Sequence, residues 1–321
     1  MDETTPAPSA KSTPDWERET LEKLVFATLR EQRAARRWKI FFRLLWLAVV
    51  LFVIALLMRE VATRATLAVP HTALIEVRGV IASDADANAR AIVQSLRAAF
   101  AEPSAKGVLL LINSPGGSPV QAGIIADEIH RLRALHDKPV HAVIEEVGAS
   151  AAYYVASAAT KIHVDKASLV GSIGVMMSGF GFTELMDKVG VDRRLLTAGE
   201  NKGFMDPFSP PNEAQVRHTQ AMLDDIHLQF IDVVRKGRGE RLRETPETFS
   251  GLIWNGQRAV EKGLADGFGS VEYVASEVIG AEHIIDYTQR ENVAQQLARR
   301  LGAGAGESAL QTLKEWGWVL R

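Results

Sequence analysis

The chain has 321 residues, 47% of them hydrophobic and 24% charged, which is enough to bury a sizeable core in one large domain or two small ones. A formal net charge of -2 gives no electrostatic reason to expect nucleic acid as a partner, and the absence of cysteine excludes disulfides, thiolate nucleophiles and zinc-cysteine sites. The eight histidines form no HExxH and no closely spaced pair, so neither a metal nor any other cofactor is expected.

Residues 1 to about 14 are rich in Pro, Ser, Thr and Ala and read as disordered, and Asp15 to Lys39 reads as a charged helix. Ile40 to Met58 is apolar except for Arg43. At about 1.5 Å per residue it is just long enough to cross a hydrocarbon core of roughly 30 Å. Arg33, Arg36, Arg37 and Lys39 crowd its N-terminal side, whereas Glu60 partly offsets Arg59 and Arg64 beyond it. The positive-inside rule then puts the N-terminus in the cytoplasm and everything after residue 60 outside. A cleaved signal peptide fits less well, because the apolar stretch is too long and no small-x-small cleavage site follows it.

After a linker, His71 to Ile81 alternates as a strand, Ala87 to Ala101 has helical periodicity, and Gly107 to Ile112 is a continuous apolar strand. Ser118 to Leu135 reads as a helix, Val140 to Val147 as a buried strand, Ser150 to Ala159 as a helix and Lys161 to Asp165 as a short strand. A turn-rich Leu169 to Val175 follows, then a helix over Phe182 to Val189 and a strand over Asp192 to Thr197. Asn212 to Lys236 is a long helix, Leu252 to Trp254 a short strand and Gln257 to Gly263 a helix. The end of the chain carries two short amphipathic helices with Trp316 and Trp318, a packing or subunit-contact surface or a second touch on the membrane. Alternating strands and helices with nearly all-apolar strands imply a parallel sheet covered on both faces, with ligands beyond the carboxyl ends of its strands.

Ser150 lies at such an end, between Gly148 and a small-residue helix, the layout of a nucleophile on a sharp turn. Its hydroxyl needs a base. Asp266 and His283 occur in the order of a hydrolase triad, but His283 sits in a strand-like run. Lys202, in the loop Gly199 to Pro210, could reach the same sheet edge and lose its proton among Phe204, Met205 and Phe208, or be an ordinary solvated lysine. Asn113 to Pro119 joins a strand to a helix through Gly116 and Gly117, which suits backbone N-H donation to an oxyanion, or is simply a tight turn. Ser172 can bond a neutral lysine amine or cap a turn.

Ser-Pro-Gly-Gly at 114-117, Gly-Ala-Ser-Ala-Ala-Tyr-Tyr at 148-154, Gly-Ser-Ile-Gly-Val at 171-175 and Gly-Glu-Asn-Lys at 199-202 together resemble, in order and spacing, the signal peptide peptidase A family. That family consists of membrane-anchored Ser/Lys serine peptidases on a Clp/crotonase-like fold. Residues 254-269 resemble the helix and turn that close this fold. The resemblance spans about residues 72-275, and the single anchor fits the short form of the family. It implies an α/β fold of repeated β-β-α units with a parallel sheet, preceded by one N-terminal transmembrane helix. The parts would be a tail over 1-39, an anchor over 40-58, a linker over 59-71, a peptidase domain over 72-289 and an amphipathic tail over 290-321.

Carried over by position, the resemblance implies Ser150 as nucleophile and Lys202 as general base. The N-H groups of Gly117 and Ala151 would form the oxyanion hole, and Ser172 would orient the lysine. The implied partners are apolar peptides such as signal peptide remnants, the lipid bilayer of the cytoplasmic (inner) membrane, and further copies of the chain in a homo-oligomer whose neighbours complete the site. The catalytic domain would face the periplasmic or extracytoplasmic side. Ala151 and Ala152 stand where the family often has two glycines, which bears on substrate fit more than on catalysis. The rival readings are a crotonase-like acyl-CoA enzyme and a non-catalytic membrane scaffold of the same fold.

Overall fold

Six consecutive small or branched apolar residues, Gly107 to Ile112, form a stable strand only if both faces are covered, and in the computed structural model they lie at the centre of the sheet. The structure describes residues 36-55 and 68-290, together with the isolated helical positions Glu19, Glu22, Lys23 and Phe26. The expected disordered start, the end of the span beyond Ala55, most of the linker and the C-terminal tail with its tryptophans lie outside the described residues.

The chain divides into two units at Thr66/Leu67. In the first, α1 (Arg36-Ala55) is a helix of 20 residues with an 18-residue stretch of mean hydropathy 2.1 that has no buried part, long and apolar enough to cross a membrane. Its N-terminal turns carry an aromatic cluster in which Trp38 stacks on Phe42 at 5.6 Å.

The second unit runs β1 (His71-Arg78), α2 (Ala89-Ala101), β2 (Ala105-Ser114), α3 (Pro119-Leu135), β3 (Val140-Ala149), α4 (Ala151-Ser157), β4 (Lys161-Val164) and β5 (Leu169-Gly171). It continues through α5 (Thr183-Val189), α6 (Glu213-Arg238), β6 (Ile253-Asn255), α7 (Gly256-Glu261), β7 (Gly267-Phe268), α8 (Val271-Tyr273), a π-helical stretch Val274-Ile279 and β8 (Ile284-Asp286). The sheet order is β6-β5-β3-β2-β1-β8, with β4 also paired to β3 and β7 paired to β4. Every pairing is parallel except β5 with β6. This is the mixed α/β architecture with a mostly parallel sheet that the alternation implied.

One face of the sheet carries the main core, in which Ile75, Leu110, Ile112, Ile125, Ile129, Tyr153, Val155 and Ile162 are fully enclosed. The other face is narrower: Leu109, Leu111 and Val143 are roofed by Val274 with Val271, Val278 and Ile279. Local chemistry sets the helix boundaries. Asn88 caps α2, Ser118 caps α3 ahead of Pro119, and the Asn212 carboxamide accepts from Ala214 and Gln215 at the start of α6. The Lys138 ammonium donates to the carbonyls of Ala99, Phe100 and Glu102, closing the C-terminal end of α2.

The strand expected over Asp192 to Thr197 is absent. All of its residues are exposed and no neighbouring strand lies beside them, so its backbone groups have no ladder to join. The stretch belongs to an arm, residues 176-211, that is exposed along most of its length and displays Met176, Phe180 and Leu196 at 85%, 81% and 96% exposure.

Candidate active site

Strand β3 runs straight into α4 with a single residue between them, and such a turn cannot be made with ordinary backbone angles. Ser150 takes φ 54° and ψ -126° there, a conformation that costs a non-glycine residue of the order of 1-3 kcal/mol. The surroundings impose it. The Ser150 N-H donates to the Gly171 carbonyl at 2.8 Å, and its own carbonyl accepts from the Tyr154 N-H at 3.0 Å to start α4. Gly148 has no room for a side chain, since a Cβ there would lie 2.7 Å from Ile144 Cδ1.

The loop after β2 presses on this elbow. A Cβ on Gly116 would fall 2.7 Å from Ser150 Cβ and 3.0 Å from the Ala151 nitrogen, so the two loops touch backbone to backbone. Gly117, at φ 148°, lies against Ile81, whose carbonyl would be 2.2 Å from any added Cβ. Ile81 donates to the Gly116 carbonyl and accepts from the Ser118 N-H, a one-residue parallel bridge that spends the groups flanking Gly117 and leaves its N-H unspent. The Ala151 N-H heads α4, where helix geometry supplies no intrahelical acceptor. Two backbone donors thus flank the half-buried Ser150 with neither spent on the fold.

Ala151 and Ala152 are 4% and 0% exposed, so their methyl groups fill the main core. Their side chains therefore contribute packing.

Ser172 is the residue after the carbonyl that holds the Ser150 nitrogen. It too has positive φ, 51°, and its N-H donates to the Leu252 carbonyl of the adjoining loop at 2.8 Å. Among the described residues only one other non-glycine has positive φ, Met205 at 53°, three residues beyond Lys202. Among the described residues, positive φ at non-glycine positions thus falls in segments that the sequence singles out.

Lys202 is tied to the Ser150 elbow by no hydrogen bond among the described residues. It is exposed, in a turn closed by its own N-H to the Gly199 carbonyl at 3.1 Å, and that turn is tied to the start of α6. The Gln215 side chain accepts from the Met205 N-H at 3.1 Å and donates to Asn201 Oδ1 at 3.4 Å. The elbow meets α6 much further along, where His227 Nε2 lies 3.1 Å from the Ile173 carbonyl. From Gln215 to His227, helix rise gives a separation of about 18 Å. The aromatic side chains expected around the lysine also face elsewhere: Phe204 meets His218 edge-on at 5.9 Å and Phe208 stacks on Phe182 at 5.5 Å.

Sequence reading missed a buried brace beneath α4. The Arg238 guanidinium, at the C-terminal end of α6, donates to the Gly263 carbonyl and to Asp266 at 2.8 Å each. Asp266 also accepts from Arg241 and from the Ile162 N-H. Burial alone would push the Asp266 carboxyl up, but these hydrogen bonds and the two guanidinium charges hold it below the usual carboxylate range. Tyr153, on α4, donates its hydroxyl to the Leu264 carbonyl of the same loop at 2.7 Å. With its carboxylate committed to two arginines, Asp266 forms no triad with His283. The only signal for this brace was the order of charged residues in the stretch 238-266, which carries no spatial information.

A model of peptidase family S49 matches residues 133-283. A protein of Synechocystis named "Putative protease slr0021" is 31% identical over 252 residues, covering 76% of this chain and 86% of the relative. A protein of Enterococcus faecium named "Putative signal peptide peptidase SppA" is 32% identical over 206 residues, 62% of this chain and 60% of the relative. A Brucella melitensis protein named "Na(+)/H(+) antiporter NhaA" is 45% identical over 176 residues, but that match spans 55% of this chain and only 24% of the relative.

Proposed function

The chain belongs to peptidase family S49, and from that premise we propose that it is a membrane-anchored serine endopeptidase with Ser150 as nucleophile and Lys202 as general base. The observation that carries the reading is the strained Ser150 elbow flanked by the unspent N-H groups of Gly117 and Ala151. That arrangement suits acyl transfer, where negative charge builds on a carbonyl oxygen. A neutral Lys202 amine takes the Ser150 proton as Oγ attacks the peptide carbonyl carbon, and the two N-H groups donate to the oxyanion. Collapse breaks the C-N bond, and the lysine returns the proton to the leaving amine. Water, deprotonated by the same amine, then hydrolyses the acyl ester and frees the serine. Ser172 orients the lysine. Family membership favours this peptidase chemistry over an acyl-CoA enzyme or a scaffold.

A lysine bathed in water stays protonated and cannot act as a base. Lys202 is exposed in the single chain and its turn belongs to an exposed apolar arm, so the reading includes a homo-oligomer in which one copy buries its arm against the next and lends Lys202 to the neighbour's elbow. Apolar peptides, including signal peptide remnants, are the proposed substrates. The anchor α1 holds the site beside the membrane that contains them, with the N-terminus cytoplasmic and the catalytic unit on the extracytoplasmic side of the inner membrane.

Mixing two inactive variants tests the pairing. Ser150→Ala and Lys202→Ala, co-expressed in equal amounts, should recover about a quarter of wild-type peptidase activity if each site draws on two copies related head to tail. Each variant alone should be inactive on an apolar fluorogenic peptide. Full activity of either single variant would refute the dyad, and no recovery on mixing would confine the site to one chain.

A further inference from the structure

Beyond the elbow, the most unusual side chains in the catalytic unit are two histidines on the narrow face of the sheet. His141 on β3 and His163 on β4 are 4% and 6% exposed, with ring centroids 5.9 Å apart. Nδ1 of His141 and both ring nitrogens of His163 are buried without a hydrogen-bond partner. Such groups cost free energy even when neutral, and considerably more when charged.

Their electrostatic surroundings oppose protonation. On β4, Lys161 is the register partner of His141, and Arg133 of α3 adds a second positive charge. Among the described residues, Asp266 is the carboxylate whose charge favours protonation of both rings, and its oxygens are already taken by Arg238 of α6, by Arg241 and by the Ile162 N-H. Burial, the neighbouring imidazole and Lys161 push His141 down to about 4; burial also lowers His163.

The pair lies under a thin lid. A Cβ on Gly269 would sit 3.4 Å from His163 Nδ1 and 2.8 Å from Tyr273 Cδ1, so the turn from β7 into α8 rests against the imidazole. Strand β7 has two residues and is held to β4 by the register His163-Gly267 and Val164-Phe268. The helix that follows is what roofs Leu109, Leu111 and Val143. Those residues belong to β2 and β3, the strands that end in the Gly116-Gly117 loop and at Ser150.

We propose that His141 and His163 form an acid-sensitive latch that releases the segment 267-279 from the sheet when the pH falls below neutrality. Because the folded state lowers both histidines, the stability they allow is present above the ordinary histidine pKa of about 6.5 and is lost as the pH falls toward about 4. The first proton desolvates a cation beside Lys161 and Arg133, and the second adds repulsion between the rings. The β7-α8 turn can relieve both by moving away and admitting water.

Hydrogen exchange on the full chain in detergent tests the latch. After correction for the pH dependence of chemical exchange, protection of 267-279 should fall at least about tenfold between about pH 7.5 and about pH 5, with α3 and the centre of β2 changing less than about twofold. The His141→Leu/His163→Leu double variant should lose that local response. Uniform loss across the domain, or an unchanged response in the double variant, would overturn the latch, as would a response abolished by EDTA, which would assign the pair to a bound cation. Should the double variant not fold, the single variants His141→Gln and His163→Gln decide: the latch requires at least one of them to weaken the local response of 267-279, and an unchanged response in both would refute it.

Discussion

Ser150 holds a backbone conformation that suits glycine, and it does so because neighbouring loops determine its position on three sides. Its N-H is fixed to Gly171, its carbonyl starts α4, and Gly116 leaves its Cβ no alternative site. Strain retained at one residue in this way trades stability for position. Ser150→Gly should therefore raise stability by about 1 kcal/mol in urea or thermal unfolding while abolishing peptidase activity. Ser150→Ala keeps the Cβ and should abolish activity with no gain in stability. Equal stabilities for the two variants would show that the elbow is unstrained.

At the scale of elements, a seven-residue helix follows Ser150, and it is too short to hold itself. Its support is lateral: Tyr153 bonds the loop at Leu264, and a Cβ on Gly237 of α6 would lie 2.0 Å from the Ser157 carbonyl. Arg238 and Asp266 keep that loop and the end of α6 in place. Removing one member of a buried ion pair typically costs about 3-5 kcal/mol, so Arg238→Met should lower unfolding stability by that order despite its similar volume. Loss of less than about 1 kcal/mol in urea denaturation would show the brace to be dispensable. The same α6 separates its two ends by function, with the brace at its C-terminus and the Lys202 turn at its N-terminus.

For the whole molecule, the arm 176-211 exposes several large apolar side chains, Met176, Phe180 and Leu196 among them, which the proposed neighbour would cover. Replacing Phe180 and Leu196 by Glu should give a folded protein with unchanged far-ultraviolet circular dichroism, dissociated in sedimentation, whose peptidase turnover is at least about 100-fold lower because Lys202 returns to water. A dissociated protein with full turnover would separate assembly from catalysis.

The apolar run of β2, the glycines before α3 and the small residues around Ser150 are local signals, and the sequence by itself was sufficient for the mostly parallel sheet, the membrane-length helix and the meeting of a glycine loop with a serine turn. Periodicity failed at Asp192-Thr197, because a strand exists only where another strand accepts its hydrogen bonds. Which residues meet across the sheet was decided only by tertiary structure. Ile81 orients Gly117 from across a loop, Asp266 is claimed by two arginines, and His141 and His163 face each other from strands whose register no local pattern encodes. The position of Lys202 is the plainest case. Its motif is written in the residues around it, but its turn is tied to the start of α6, whereas the segment beside the elbow meets that helix about three turns further along.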